Sequence, residues 1–142
     1  MENTQLILDT HVIHTEYTGE VTHEQIMGAV RKQANLIDQH KNVCVLLFDY
    51  TNATMVRVRQ EEVMETAQMS EDLTRARPYL EFIAVTPNSV DYGLARMWRT
   101  YSEFRGGVAA EQMHVCRDIG SAMQLADEIV QRKISNPLLH IS

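Results

Sequence analysis

The sequence predicts an α/β protein, a mostly parallel mixed sheet with one or two antiparallel strands at its N-terminal side and four helices. Two short apolar runs and the stripes between them carry this. Residues 43–48, V-C-V-L-L-F, are six apolar or near-apolar residues in a row, rich in β-branched and aromatic types, as in a strand buried on both faces. Residues 80–86, with F-I-A-V at their centre, repeat the signature. Amphipathic stretches precede, separate and follow them, giving the order β(β)αβαβαβα, which implies right-handed crossovers between parallel strands.

Taken in order, residues 6–8 form a short apolar run and residues 12–17 alternate apolar and polar, which suits edge-type strands in a hairpin or bent ribbon turned at Gly19-Glu20. Thr22 then stands as a helix N-cap with Gln25 three residues on, and Val21 and Ile26 are placed to staple the start. Ile26, Val30, Ala34 and Ile37 follow one face of that first helix. After the 43–48 strand the reading stops at Asp49 and passes into a polar loop over residues 50–54.

A second helix is expected over 59–77, with Glu61, Glu62 and Glu65 near its start and Arg75 and Arg77 near its end, as the macrodipole favours. Its apolar stripe, Val63, Ala67, Leu73 and Ala76, is thin, so it reads as largely solvent-facing. Pro78 ends it before the strand at 80–86. Asn88 with Asp91 resembles a capping arrangement for a third helix over 89–104, whose Leu94, Met97, Trp98 and Tyr101 fall at i, i+3, i+4 and i+7. Gly106-Gly107 stops it. A short strand at 112–116 leads to Asp118 as N-cap of a fourth helix with Ala122, Leu125, Ile129 and Val130 on its buried stripe, and residues 135–142 form a partly apolar tail. The chain reads as a single domain over 1–142 with its core at about 5–132.

The formal charge of −6 opposes nucleic-acid binding, which needs a concentrated basic face; Arg96, Arg99 and Arg105 are the one loose cluster. No apolar run approaches a membrane span, and the N-terminus lacks the layout of a secretory signal, so a cytoplasmic protein is expected. Cys44 and Cys116 sit in apolar strand-like runs and read as small core hydrophobes. The six histidines show no metal-ligand spacing, and no metal or other cofactor is expected. No nucleophile elbow and no glycine-rich phosphate loop follows either buried strand, so a non-enzymatic protein is expected; a carboxylate pair would have to join Asp49 to a distant group such as Asp91.

The order and spacing of these segments resemble the STAS fold, in particular the SpoIIAA-like family. The resemblance covers about residues 5–132 and rests on Gly19-Glu20-Val21-Thr22, the strand V-L-L-F-D with its polar loop, F-I-A-V-T-P, and the helix carrying Ala95-Arg96-Met97-Trp98. It implies helices packed mainly on one side of the sheet and a regulatory or protein-interaction role. Members that antagonise anti-sigma factors carry a phosphorylatable serine at the start of the helix after this strand. The corresponding residues 55–60, M-V-R-V-R-Q, hold no serine and no glycine, so that switch is not carried over. A topological similarity to CRAL-TRIO lipid-binding domains implies the alternative, a small apolar-ligand or lipid-binding protein.

Two surfaces follow. In a parallel sheet the loops after Phe48 and Thr86 emerge on one edge, which gathers Asp49, Thr51, Asn52, Thr54, Thr86, Asn88 and Ser89 as a docking edge for an unidentified protein partner. Met97, Trp98, Tyr101 and Phe104 would line an apolar pocket if the third helix swings outward. The apolar tail and the thin-striped second helix are compatible with a homodimer.

Overall fold

The computed structural model describes residues 1–105, 108 and 110–136. The expected helix stop at Gly106-Gly107 and most of the expected tail, residues 137–142, lie outside them. Strands β1 (Glu2–Ile7), β2 (Val12–Glu20), β3 (Val45–Thr54), β4 (Glu81–Val85) and β5 (Met113–Cys116) form one sheet in the order β1-β2-β3-β4-β5. Only the β1–β2 pair is antiparallel. Helices α1 (His23–Gln39), α2 (Gln60–Ala76) and α3 (Ser89–Arg105) cover one face, and α4 (Ile119–Ile134) covers the other.

The pleat of β3 explains this layering. Leu46, Phe48 and Tyr50 join the core under α1–α3, while Val45 and Leu47 join Ala122, Ala126, Ile129 and Val130 of α4. Phe48 and Phe82 stack at 6.4 Å between centroids, and Trp98 of α3 sets its edge against both at 6.2 Å. The capping box at Thr22 and Gln25 is formed, and Val21 and Ile26 are buried in the same core.

Two helices depart from the stripes expected of them. The buried line of α2 is Val63, Ala67, Ser70 and Thr74, and that of α3 is Asp91, Ala95, Trp98 and Ser102. Helix α2 packs on α3 along this narrow line and leaves its remaining residues exposed or half-buried. The Ser70 and Thr74 hydroxyls donate to carbonyls four residues back, so small polar groups can be buried without an unmet donor. Ser70 Oγ then accepts the Trp98 indole N–H at 2.9 Å.

Strand β3 is also longer than its apolar run. Residues 50–54 are strand, not loop, because the second half of β2 continues beside them as far as the Glu20–Thr54 pair. A bulge lies in the middle: Glu16 pairs with Asp49 and Thr18 with Asn52, so β3 carries one extra residue. At the opposite end of the sheet, β1 turns into β2 through Leu8, Asp9 and Thr10, all with left-handed φ of 50–65°. Asn42 pins that turn, donating to Asp9 O and Thr10 Oγ1.

Glu81 opens β4 at this amino edge and is 3% exposed. It accepts from His114 at 2.8 Å, from Lys133 at 3.1 Å and from Arg132. Burial pushes its carboxyl up, but the hydrogen bonds from His114 and Lys133 and the charges of Lys133 and Arg132 outweigh burial and hold it below the usual range. The stability this adds is full above the ordinary carboxylate value, about 4.3, and is lost as pH falls through the depressed folded-state value. Glu81→Gln leaves the nearly buried Lys133 ammonium without its counter-charge. It should cost about 3 kcal/mol near neutral pH and flatten the loss of stability on acidification. Urea denaturation over a pH series measures both, and an unchanged acid slope would refute the assignment.

Candidate functional site

The carboxyl ends of β3 and β4 meet the N-terminus of α3, and Asp91 in the first turn of that helix joins them. Its carboxylate is fully buried. Oδ1 accepts the Met55 N–H at 2.9 Å and the Thr54 hydroxyl at 3.4 Å, and Oδ2 accepts the Asn88 amide at 2.9 Å. Asn88 caps α3 in return, its Oδ1 accepting the Asp91 N–H at 2.8 Å. One side chain thus fastens the segment after β3 to the segment after β4. From this tie the chain makes a turn, Val58 N–H donating to Met55 O, and buries both Met55 and Val58 before α2 begins.

Asp49 has a different task. It is 2% exposed and points to the α4 side of the sheet, where Oδ2 receives the His14 Nε2 at 2.9 Å. Oδ1 accepts both the amide and the hydroxyl of Thr51. The bulge displaces the Thr51 N–H from the ladder, and the Asp49 carboxylate supplies its acceptor. Burial alone would raise the Asp49 carboxyl; the hydrogen bonds from His14 and Thr51 override it and hold the group below the usual carboxylate range. Asp49 and Asp91 serve different partners.

The expected docking edge is therefore divided. Thr51, Asn52, Asn88 and Ser89 are exposed, and Thr54 is half-buried against Asp91. Asp49 faces inward, and Thr86 is buried with its hydroxyl unpartnered among the described residues. Sequence reasoning missed two apolar members. Val56 is 61% exposed and Val90 64% exposed, and each directly adjoins a partner in the Met55–Asp91 hydrogen bond. Their neighbours Met55 and Asp91 are anchored inward, which turns the valines out. No local motif announces that; it follows from the tie.

Of the four residues expected to line an apolar pocket, Trp98 borders a cavity of about 50 Å³ between the sheet and α1–α3. Phe48, Tyr50, Met55, Val58 and Leu94 are among its other walls. Met97 and Tyr101 pack against the core from half-buried positions, and Phe104 stands 90% exposed near the end of α3. Beside this cavity Tyr17 and Tyr50 stack at 4.7 Å. The Tyr17 hydroxyl lies next to that of Tyr50 without hydrogen-bond geometry, and burial pushes both phenols well above their ordinary value.

Among the described residues no group of three His, Cys, Asp or Glu side chains is placed to hold a metal ion, and no helix is long and apolar enough to cross a membrane. Cys44 and Cys116 are free thiols; burial pushes Cys44 up to about 11, which suppresses its thiolate.

Asp91→Ala removes the acceptors of the Met55 and Asn88 N–H groups. The expected cost is about 2–3 kcal/mol, with faster hydrogen exchange at the Met55 amide; Asp91→Asn, which keeps one oxygen, should lose less. Met55 protection unaltered in the alanine variant would show that the tie does not hold the two segments.

Comparison with protein-family models, with curated proteins and with solved structures gives no match to this chain.

Proposed function

We propose that this chain is a non-enzymatic regulatory or protein-interaction module of the SpoIIAA-like/STAS type, and that it captures a protein partner through the edge built from residues 49–57 and 86–90. The observation that carries this reading is the Asp91 tie. It fastens the two segments together and leaves Val56 and Val90 exposed on them, as are Thr51, Asn52, Arg57, Asn88 and Ser89. Exposed apolar side chains among polar ones, on backbone fixed by a buried hydrogen bond, suit a contact surface. Where the resemblance would place a phosphorylatable serine, Met55 and Val58 are buried as anchors, which supports a module without that switch.

Val56→Asp with Val90→Asp should abolish co-purification of a partner while leaving thermal unfolding within a few degrees of the parent, since both side chains are already solvated. Asn52→Ala should weaken capture to a smaller extent. Asp49→Ala is a poor probe because it also removes the acceptor of the Thr51 amide and the partner of His14. Capture that survives the double valine substitution would eliminate this edge as the contact.

The cavity favours a second reading, a small apolar-ligand protein. An engineered cavity of roughly 150 Å³ accommodates benzene. At about 50 Å³ this one accepts a smaller group unless residues 55–58 or α3 move outward. A lipid chain therefore requires opening. Trp98 is the single tryptophan and lies on the cavity wall, so its emission reports occupancy directly. Titration with short alkanes and fatty acids should shift that emission saturably on this reading; a flat response across the series would remove it.

A further inference from the structure

We infer that the partner presents an acidic segment, and that a clamp formed by Arg117, Tyr92 and Arg96 receives it at the carboxyl edge; this rests on the protein-capture reading above. The Arg117 guanidinium carbon lies 4.5 Å from the centroid of the Tyr92 ring, and that of Arg96 lies 5.9 Å from the same centroid. Arg117 comes from the segment between β5 and α4, and Arg96 from α3 one turn beyond Tyr92. Two cations are thus gathered on one phenol ring by two separate parts of the fold. A ring face attracts each of them, yet does nothing to cancel their mutual repulsion.

The protein does not neutralise them itself. Among the described residues neither Arg96 nor Arg117 is ion-paired to a carboxylate, and Arg99, three residues along α3, is likewise without one. The two acids beside the clamp in sequence are committed elsewhere. Asp91 next to Tyr92 holds Met55 and Asn88, and Asp118 next to Arg117 caps α4 by accepting the N–H and hydroxyl of Ser121 at 2.7 and 3.0 Å. Arg57 and Arg59, by contrast, are paired with Glu20 and Glu62. In a chain of formal charge −6, Arg96, Arg99 and Arg117 are three guanidiniums that no carboxylate among the described residues pairs with.

Arg117 is also held in place. One of its N–H groups donates to Pro87 O at 3.0 Å, in the β4–α3 segment that carries Asn88, Ser89 and Val90. Among the described residues its remaining donors, and all those of Arg96, have no acceptor and can meet an anionic side chain. A planar fork suits carboxylate or phosphoryl oxygens, and both sources share this chemistry.

The test is a fluorescence-anisotropy titration of the intact chain with a labelled glutamate-rich peptide, its glutamine counterpart and a phosphoserine version. The glutamate peptide should bind and the glutamine peptide should not, with binding that weakens as salt is raised. The double variant Arg96→Glu with Arg117→Glu should weaken binding at least about tenfold, because charge reversal turns attraction into repulsion. Arg75→Glu, an exposed arginine on α2, should leave it unchanged. Tighter binding of the phosphoserine peptide that is lost in the double variant supports the clamp and names the phosphoryl group as its anion. Equal binding of the glutamate and glutamine peptides, undiminished binding by the double variant, or equal loss with Arg75→Glu overturns it. Partner capture that is lost in the Val56/Val90 variant but kept in the Arg96/Arg117 variant rejects the clamp and leaves the edge standing; capture kept in both rejects the two together.

Discussion

Strand β3 has to hide both of its faces, and the rest of the fold is arranged around that requirement. Six consecutive apolar residues cannot be accommodated by a sheet with one wet side. Phe48 therefore meets Phe82 and Trp98 beneath α2 and α3, while Val45 and Leu47 need α4 on the reverse. A third helix on the first face, α1, closes the core over β2 through Ile26, Val30 and Ile37. Once β3 is central, its carboxyl end is also fixed between β2 and β4, and the segments leaving it have little freedom of direction.

Burial of this kind reaches the polar groups too. The bulge strands the Thr51 amide, and Asp49 answers it; the turn at residue 55 strands the Met55 amide, and Asp91 answers that. Each carboxylate is desolvated in order to satisfy a backbone donor, which is favourable only because several donors converge on it. The α2–α3 contact follows the same rule with neutral groups. Ser70 returns its proton to the helix backbone and accepts the indole of Trp98, so two helices approach closely without an orphaned donor at that point.

The parts of this fold that are legible in the sequence are those decided by neighbours in the chain. Residues 43–48 declare a buried strand, Thr22 and Gln25 declare a helix start, and Ala122, Ile129 and Val130 declare the inward side of α4. The parts that are not legible depend on what lies across the gap. Residues 50–54 look like a loop because their polarity is local, whereas the β2 partner that makes them a strand is some 34 residues earlier. Leu94, Met97 and Tyr101 form an apolar stripe on α3, yet the most buried line is one residue over, at Asp91, Ala95, Trp98 and Ser102, because Asp91 is drawn in by the Met55 amide and Trp98 by Ser70 of α2. Asp49 and Asp91 stand out in the sequence as polar residues at strand and helix ends. That they point inward, and turn Val56 and Val90 outward, follows only from the pairing of distant amides.

The two ends of the sheet use their charged side chains differently. At the amino edge Arg132 and Lys133 pair with Glu81, which also hydrogen-bonds His114, and Arg77 donates to the carbonyls of Ile37 and Lys41 near the end of α1. At the carboxyl edge the carboxylates accept from backbone amides instead, Asp49 from Thr51, Asp91 from Met55 and Asp118 from Ser121. The helix N-termini gathered there already favour negative charge, and these carboxylates satisfy their backbone donors without reaching Arg96 or Arg117. A surface binds through the groups its own fold has not used. At this edge those include the outward Val56 and Val90 and the two guanidiniums on the Tyr92 ring.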